Sequence, residues 1–179
     1  MAIRRIEILG SEVLRTPGEE VETFDGELES LVDDMFRTMY HAEGVGLAAP
    51  QIGLSLRLFV VDVPEDEDEG REGFRAALVN PEIIERSAEV EKAPEGCLSI
   101  PGMEGVVERP VSVVMEARDP QGEPLRIEAS GLLARALQHE LDHLNGVLFI
   151  DHLSPLNRKM LLRKWEKARA EAEEETAPL

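Results

Sequence analysis

Two histidines separated by three residues are the strongest chemical feature of the sequence. His139 and His143 enclose Glu140 in the segment His-Glu-Leu-Asp-His. On an α-helix, residues i and i+4 lie about 40° apart on one face, so both imidazoles can bind one metal ion. A carboxylate beside two half-buried imidazoles also requires a compensating positive charge, which a divalent cation supplies. We interpret the segment as a metal site; two structural histidines in the core are the alternative.

A catalytic metal normally takes three protein ligands and leaves one position for water, so a third ligand is required. The metzincin pattern fails, because Phe149 occupies the position of its third histidine. Glu166 would be the thermolysin-like choice, but it lies in a strongly basic segment. The third candidate is Cys97, the single cysteine, which follows a glycine that permits a sharp turn. Taken alone, a lone cysteine is more often a small buried hydrophobe.

The order of the predicted elements that must position these residues indicates an α+β fold, because strands precede helices along most of the chain. Asp25 is suited to cap a helix whose apolar residues recur at helical spacing and which ends at Gly44. A loop of small residues, 44–51, follows it. Strands are predicted at 56–63, 76–80, 83–86, 106–116 and 125–127. The histidine pair lies on a helix over 130–145, and Ser154 and Pro155 begin the last helix.

Length and composition indicate one domain over residues 1–170, followed by an acidic, flexible tail over 171–179. No apolar run approaches the roughly 20 residues that a membrane span needs. The first residues lack the pattern of a secretion signal, and a single cysteine suits a reducing compartment, so we expect a cytoplasmic protein without a membrane partner. The net charge of −18 disfavours DNA as a partner, because the phosphate backbone would be repelled.

Three segments together resemble the signature motifs of the peptide deformylases, in particular the bacterial type with a C-terminal helix. They are Gly-Val-Gly-Leu-Ala-Ala-Pro-Gln at 44–51, Glu-Gly-Cys-Leu-Ser at 95–99 and His-Glu-Leu-Asp-His-Leu-Asn-Gly at 139–146. The likeness covers about residues 3 to 170. It implies antiparallel β-sheets packed around a central metal-binding helix, and a hydrolase that removes the N-formyl group from the initiator methionine of nascent polypeptides.

The resemblance also implies the roles of individual residues. The implied metal ligands are Cys97, His139 and His143, and the metal is Fe²⁺ in many members, with Zn²⁺, Ni²⁺ or Co²⁺ able to replace it. Glu140 is implied as general base and acid for a water activated by the cation. The Gln51 amide and the Leu98 backbone N–H are implied as donors to the oxyanion. Val45 and Gly46 are implied to bind the peptide backbone.

Other residues carry weaker expectations. Asp142 is expected to be a structural partner, with Arg109 as a candidate, and His41 and His152 are expected to lack such partners. Glu104 stands where many relatives have a basic residue that helps to hold the substrate. The last helix contains six of the 19 basic residues of the chain and either contacts the ribosome or is a solvated face. An HExxH-type metallopeptidase is the alternative function, and a non-catalytic relative is a further one.

Overall fold

A computed structural model describes residues 2–176 of the chain. The β-strands in this part of the chain are β1 Gly46–Ala48, β2 Leu58–Val63, β3 Phe74–Arg86, β4 Val90–Cys97, β5 Ile100–Pro110, β6 Ser112–Arg118 and β7 Pro124–Ser130. The α-helices are α1 Gly26–His41, α2 Gly131–Leu144 and α3 Pro155–Thr176. Five strands form an antiparallel sheet in the order β1-β2-β3-β6-β7, and β4 pairs with β5 in a separate two-stranded sheet.

Strand β2 is buried on both faces and lies between two helices. Leu58 and Val60 pack in the core beneath α1, whereas Phe59 and Val61 pack in the core beneath α2. This division follows from the alternation of side chains along a strand. The sheet therefore separates α1 from α2, and α2 lies directly on the sheet through residues such as Leu137.

Helix α1 begins where the sequence predicts and ends earlier. The side chain of Asp25 accepts a hydrogen bond of 3.1 Å from the backbone N–H of Leu28, which confirms the predicted cap. The helix ends at His41 rather than at Gly44. Glu43 has a φ of 58°, in the left-handed region that few residues other than glycine adopt. The chain thus turns out of the helix before it reaches the first glycine.

A third core joins the two-stranded sheet to the C-terminal part of the chain. It contains Ile100 and Val107 of β5, Phe149 of a short 3-10 helix Phe149–His152, and Leu161 and Trp165 of α3. Helix α2 contacts strands of both sheets and so has a central position. The α+β prediction of antiparallel sheets around a central helix, with a C-terminal helix, is confirmed.

Individual strand predictions differ from the structure in three places. The predicted strand 106–116 divides at Val111 into β5 and β6, and the predicted strands 76–80 and 83–86 form one strand with an irregularity after Val79. The sequence did not predict β4, whose charged residues, proline and glycine are typical of a surface loop. The predicted loop 44–51 contains β1 and a 3-10 helix, Ala49–Ile52.

The predicted tail begins inside a helix. Residue 171 lies within α3, which continues to Thr176, and residues 177–179 lie outside the described part of the chain. The division into a domain over 1–170 and a flexible tail over 171–179 stays a prediction. Within residues 2–176, no helix has both the length and the apolar character that a membrane span requires.

Candidate active site

Helix α2 and the end of β4 bring three potential metal ligands together. His139 and His143 are one helical turn apart on α2, and Cys97 is the last residue of β4. Their donor atoms all lie within 4.8 Å of one another. The Cys97 Sγ is 3.4 Å from the His143 Nε2, and the two imidazole rings are 5.1 Å apart in an edge-to-face arrangement. The structure thus places the three predicted ligands around one point.

The orientation of the His139 ring is set by a buried carboxylate. The Nδ1 of His139 donates to the Oε1 of Glu95 at 2.9 Å, since an ionised carboxylate can only accept. This leaves the Nε2 of His139 for the cluster, the arrangement by which carboxylates orient metal-binding histidines. Burial by itself raises the pKa of Glu95, but the hydrogen bonds from Arg109 and His139 outweigh burial and lower the pKa well below its ordinary value. Glu95 is therefore an ionised acceptor.

Two arginines complete the surroundings of Glu95. Arg109 donates through its Nε at 2.6 Å and through one terminal nitrogen at 2.9 Å to the two carboxylate oxygens. Arg135 donates to the Oε2 of Glu95 at 2.6 Å and also to the carbonyls of Glu91 and Val107. Arg135 therefore links α2, which carries the histidines, to the hairpin that carries the cysteine.

The network continues from Arg109 toward the surface. Arg109 donates to the Oδ2 of Asp142 at 2.9 Å, which confirms the predicted ion pair. The same oxygen accepts from the Nε2 of His152 at 2.8 Å. The prediction that His152 has no such partner was wrong, because the 3-10 helix that contains His152 folds back against α2.

The surroundings shift the pKa values of the two histidines of the cluster in opposite directions. Burial lowers the pKa of His139, but hydrogen bonds to Cys97 and Glu95 outweigh burial and raise the pKa to about 10. Burial lowers the pKa of His143 well below its ordinary value, and the charge of His139 adds to this effect. Because a metal binds only a deprotonated ring nitrogen, a dication would replace the proton on His139. One thiol and two imidazoles fit a borderline-soft divalent metal.

Glu140 is buried beside the cluster and lacks a full set of donors. Its side chain is 5% exposed, and within residues 2–176 its Oε2 has no hydrogen-bond partner. Burial raises its pKa to about 7. Gly46 lies against it so closely that a β-carbon at Gly46 would be 2.5 Å from the Oε1 of Glu140. A glycine at this position leaves room for the carboxylate.

Gln51 and Leu98 link the first two motifs. The Gln51 side chain is 1% exposed, accepts from the backbone N–H of Ala48 at 2.9 Å and donates to the Oγ of Ser99 at 3.1 Å. Its amide nitrogen lies 3.6 Å from the Sγ of Cys97. Leu98 packs against Gly44, where a β-carbon would be 2.7 Å from the leucine Cδ1. The amide of Gln51 is thus held next to the cluster.

A cavity of ≈770 Å³ lies in front of the cluster. Most of the predicted site residues line it, namely Val45, Gly46, Gln51, Cys97, Leu98, His139 and Glu140. His143 is not among the lining residues and is 1% exposed. The wall includes apolar Met103, Leu132 and Ala136, and Glu43 and Glu104 also line the cavity. The cavity is large enough for an extended peptide end with an apolar side chain.

Sequence comparison agrees with this geometry. The sequence model of the family described as polypeptide deformylase matches residues 3–159. The chain belongs to this family. A peptide deformylase of Natranaerobius thermophilus is 52% identical over 159 residues, which are 89% of this chain and 97% of that protein. Family membership confirms the resemblance and the predicted enzyme class, a metal-dependent peptide deformylase, and it does not favour the metallopeptidase alternative.

Solved deformylase structures share the whole fold. A peptide deformylase from Legionella pneumophila is 47% identical and superposes with a TM-score of 0.86, covering 98% of this chain and 99% of that chain. One from Ehrlichia chaffeensis, in complex with actinonin, is 42% identical with a TM-score of 0.87, covering 94% of this chain and 98% of that chain.

Sequence reasoning missed the residues behind the cluster. Glu95 lies inside the second motif but was given no role, and Arg135 and His152 were not connected with the site. One signal was available for Arg135, since a helix position four residues before His139 lies on the same face. His152 had no local signal, because its partner lies on another element.

Proposed function

We propose that this deformylase removes the N-formyl group from the initiator methionine of newly synthesised polypeptides and releases formate. The observation that carries the proposal is the convergence of Cys97, His139 and His143, with donor atoms within 4.8 Å, beside the buried carboxylate of Glu140. The cavity in front of them has room for a methionine side chain between apolar walls. We place the activity in the cytoplasm, where nascent chains carry the formyl group.

One divalent cation per chain would be held by Cys97, His139 and His143. Fe²⁺ is our first choice, and Zn²⁺, Ni²⁺ and Co²⁺ suit the same donors. When bound, such a cation supplies a Lewis acid and lowers the pKa of water from about 16 toward about 7. The orientation of His139 by Glu95 supports this assignment, because the ring presents its second nitrogen to the cluster.

Glu140 would move the proton of the reaction. Its Oε2, which has no hydrogen-bond partner within residues 2–176, accepts a proton from water as the water oxygen attacks the formyl carbon. The carbonyl oxygen becomes negative and accepts hydrogen bonds from the Gln51 amide and the Leu98 backbone N–H. The C–N bond then breaks, Glu140 gives the proton to the departing amine, and the products are formate and a free amino terminus.

The peptide backbone would bind along the open edge of β1. The carbonyl of Val45 accepts from the N–H of Asp62 at 2.8 Å, so the backbone groups of Val45 face β2. Those of the next residue, Gly46, then face the other way, because backbone groups alternate along a strand. Since β1 is the first strand of the sheet, Gly46 can pair with an added peptide strand.

Formate release from formyl-Met-Ala-Ser is the direct test. The protein would be purified without oxygen and loaded with iron or nickel, and an acetylated peptide would serve as the control substrate. Rapid release of formate, with the acetyl peptide spared, is expected. A protein that binds one metal per chain but cleaves internal peptide bonds and leaves formyl peptides intact would contradict the proposal.

We further propose that α3 contacts the ribosome through its basic face. Four of its basic side chains are exposed, namely Lys159, Arg163, Lys164 and Lys167. Arg158 differs, because it donates to the carbonyls of Ile150 and Asp151 and so stabilises the start of the helix. Removal of the whole helix would expose Leu161 and Trp165, so charge reversal is the sharper test.

The experiment changes the four exposed basic residues to glutamate and measures co-sedimentation with ribosomes. Lys92→Glu, an exposed lysine on β4, is the control. We expect the fourfold variant, but not the control, to lose co-sedimentation with ribosomes. Binding of the parent should weaken steeply as the salt concentration rises. Unchanged binding of the fourfold variant would refute the contact while leaving the enzymatic proposal standing.

A further inference from the structure

His152 is a half-exposed histidine whose ring has one specific partner. Its side chain is 36% exposed, and its Nε2 lies 2.8 Å from the Oδ2 of Asp142. Because a carboxylate can only accept, the ring nitrogen donates. His152 closes the 3-10 helix Phe149–His152, where Phe149 and Ile150 are buried, so the backbone that carries the ring is well anchored.

From Asp142, an unbroken chain of hydrogen bonds reaches His139. The Oδ2 of Asp142 accepts from Arg109 at 2.9 Å as well as from His152. The other donors of the same guanidinium contact both oxygens of Glu95, at 2.6 and 2.9 Å. Glu95 in turn accepts from His139 at 2.9 Å. The planar guanidinium couples these contacts, because a rotation that changes one changes the others.

The side chains at the two ends of this hydrogen-bond network are buried to different extents. Glu95 and Arg109 have side chains that are 5% exposed, and packing holds them. Asp142 has a side chain that is 23% exposed, so solvent competes for its oxygens. The donor on its exposed side is His152. Without the hydrogen bond from His152, the Asp142 carboxylate can turn toward water, and its hydrogen bond with Arg109 becomes weaker.

We infer that His152 is a positioning residue for the metal centre. Its N–H holds Asp142 in the orientation in which Arg109 aligns Glu95 with the Nδ1 of His139. The inference rests on the proposed metal site, and it concerns how firmly the protein keeps the metal. Loss of a direct hydrogen-bond partner of a ligand costs about 10- to 100-fold in metal affinity, and His152 acts from further away, so a smaller change of about three- to tenfold is expected.

The rate at which cobalt leaves the protein tests this inference. The cobalt-loaded protein is mixed with excess chelator, and the absorption of the cobalt–thiolate chromophore is followed with time. His152→Leu removes the donor, and His152→Gln places an amide N–H near the same position. His41→Leu is the matched control, because His41 is an exposed histidine at the end of α1, away from the network.

We expect His152→Leu to lose cobalt about three- to tenfold faster than the parent, with His152→Gln and His41→Leu close to the parent. Equal rates in His152→Leu and the parent would overturn the inference, and so would equally fast loss from the leucine and glutamine variants, which indicates packing rather than hydrogen bonding. A parent that takes up no cobalt would overturn the metal site itself.

A second measurement separates the network from a local effect. In an Asp142→Ala background, His152→Leu should cause no further acceleration of cobalt loss, because the acceptor that links His152 to Arg109 is already removed. Fully multiplicative effects of the two substitutions would show that His152 acts independently of Asp142 and would overturn the inference. Thermal unfolding of the same variants reports any general loss of stability.

Discussion

Two buried glutamates near His139 have opposite surroundings. Glu95 accepts hydrogen bonds from Arg109, Arg135 and His139, and its pKa lies well below the ordinary value. Glu140 is equally buried, yet its Oε2 has no partner within residues 2–176, and burial raises its pKa to about 7. The same chemical group is thus prepared for two tasks: one carboxylate orients a ring, and the other can exchange a proton near neutral pH.

The comparison shows that burial alone does not specify a role. Both residues are almost fully buried, at 7% and 5% exposure for Glu95 and Glu140. The number of donors that each carboxylate meets is different, and this number determines whether the charged form is stable. Substitutions of Glu140 and of Glu95 should therefore have different effects: the first on catalysis, the second on metal binding and stability.

The largest effect is expected from Glu140→Gln. The amide cannot accept the proton, so kcat should fall by about 10²- to 10⁴-fold, the usual contribution of general acid–base catalysis. Metal content should stay near that of the parent, because Glu140 is not one of the three clustered ligands. Formate release and metal analysis on the same sample test this.

Glu108→Gln is the control for Glu140→Gln, because Glu108 is exposed on β5 and is not among the residues that line the cavity. We expect its formate release to change little. A Glu140→Gln enzyme that retains activity within a few-fold of the parent would refute the assignment of the proton carrier.

Gly46→Ala should also impair catalysis, because it displaces the carboxylate of Glu140. The added methyl would lie 2.5 Å from the Oε1 and 2.9 Å from the Cδ of Glu140, so the carboxylate must shift. A misplacement of about 1 Å can cost about 100-fold in rate, and we expect a loss of that order in kcat/KM. Gly26→Ala, where a β-carbon meets nothing within 4 Å, should leave the rate unchanged.

Glu95→Gln should act on metal binding rather than on proton transfer. The amide keeps the shape but removes the negative charge that Arg109, Arg135 and His139 share, and metal affinity should fall by about 10- to 100-fold. Removing the charged partner of the buried Arg109–Glu95 ion pair should also cost about 3–5 kcal/mol of folding stability. Chelator competition and urea unfolding measure the two effects. An unchanged metal affinity would mean that Glu95 does not orient His139.

Asp34 provides a comparison away from the site. Its side chain, 7% exposed, accepts from Arg4 at 2.9 and 3.0 Å and from the backbone N–H of Ala2 at 2.7 Å. These contacts attach the N-terminal segment to α1. Asp34→Asn should reduce the free energy of unfolding by about 1–3 kcal/mol and leave formate release unchanged. A loss of activity at full stability would contradict a purely structural role.

The pH dependence of this contribution has a definite sign. The hydrogen bonds from Ala2 and Arg4 lower the pKa of Asp34 below its ordinary value. The stabilisation is therefore complete above the unfolded-state pKa of about 3.9 and is lost as the pH falls through the lower folded-state pKa. The free energies of unfolding in urea of the parent and of Asp34→Asn should differ at pH 6, and this difference should begin to shrink below about pH 4. A difference that grows in acid would contradict this assignment.

Much of the site could be predicted because its signals are local. The spacing of His139 and His143 is a property of one helix, and the buried strand around Phe59 is a property of one apolar run. Cys97 was one of several candidates until the three motifs were considered together, because a lone cysteine has no periodicity. Glu140 was recognised from its position beside the histidines, but only the fold showed that its Oε2 has no hydrogen-bond partner among the described residues.

By itself, the sequence therefore determined most of the element types, the helix that carries the histidine pair and the family. Only the tertiary structure showed that Glu95 reaches His139, 44 residues away, and that Asp142 joins Arg109 to His152. The physical reason is that periodicity reports which face of one element is buried, whereas a hydrogen-bond network depends on which elements meet. The pairing of β4 with β5 and the contact of β5 with α2 bring these charges together.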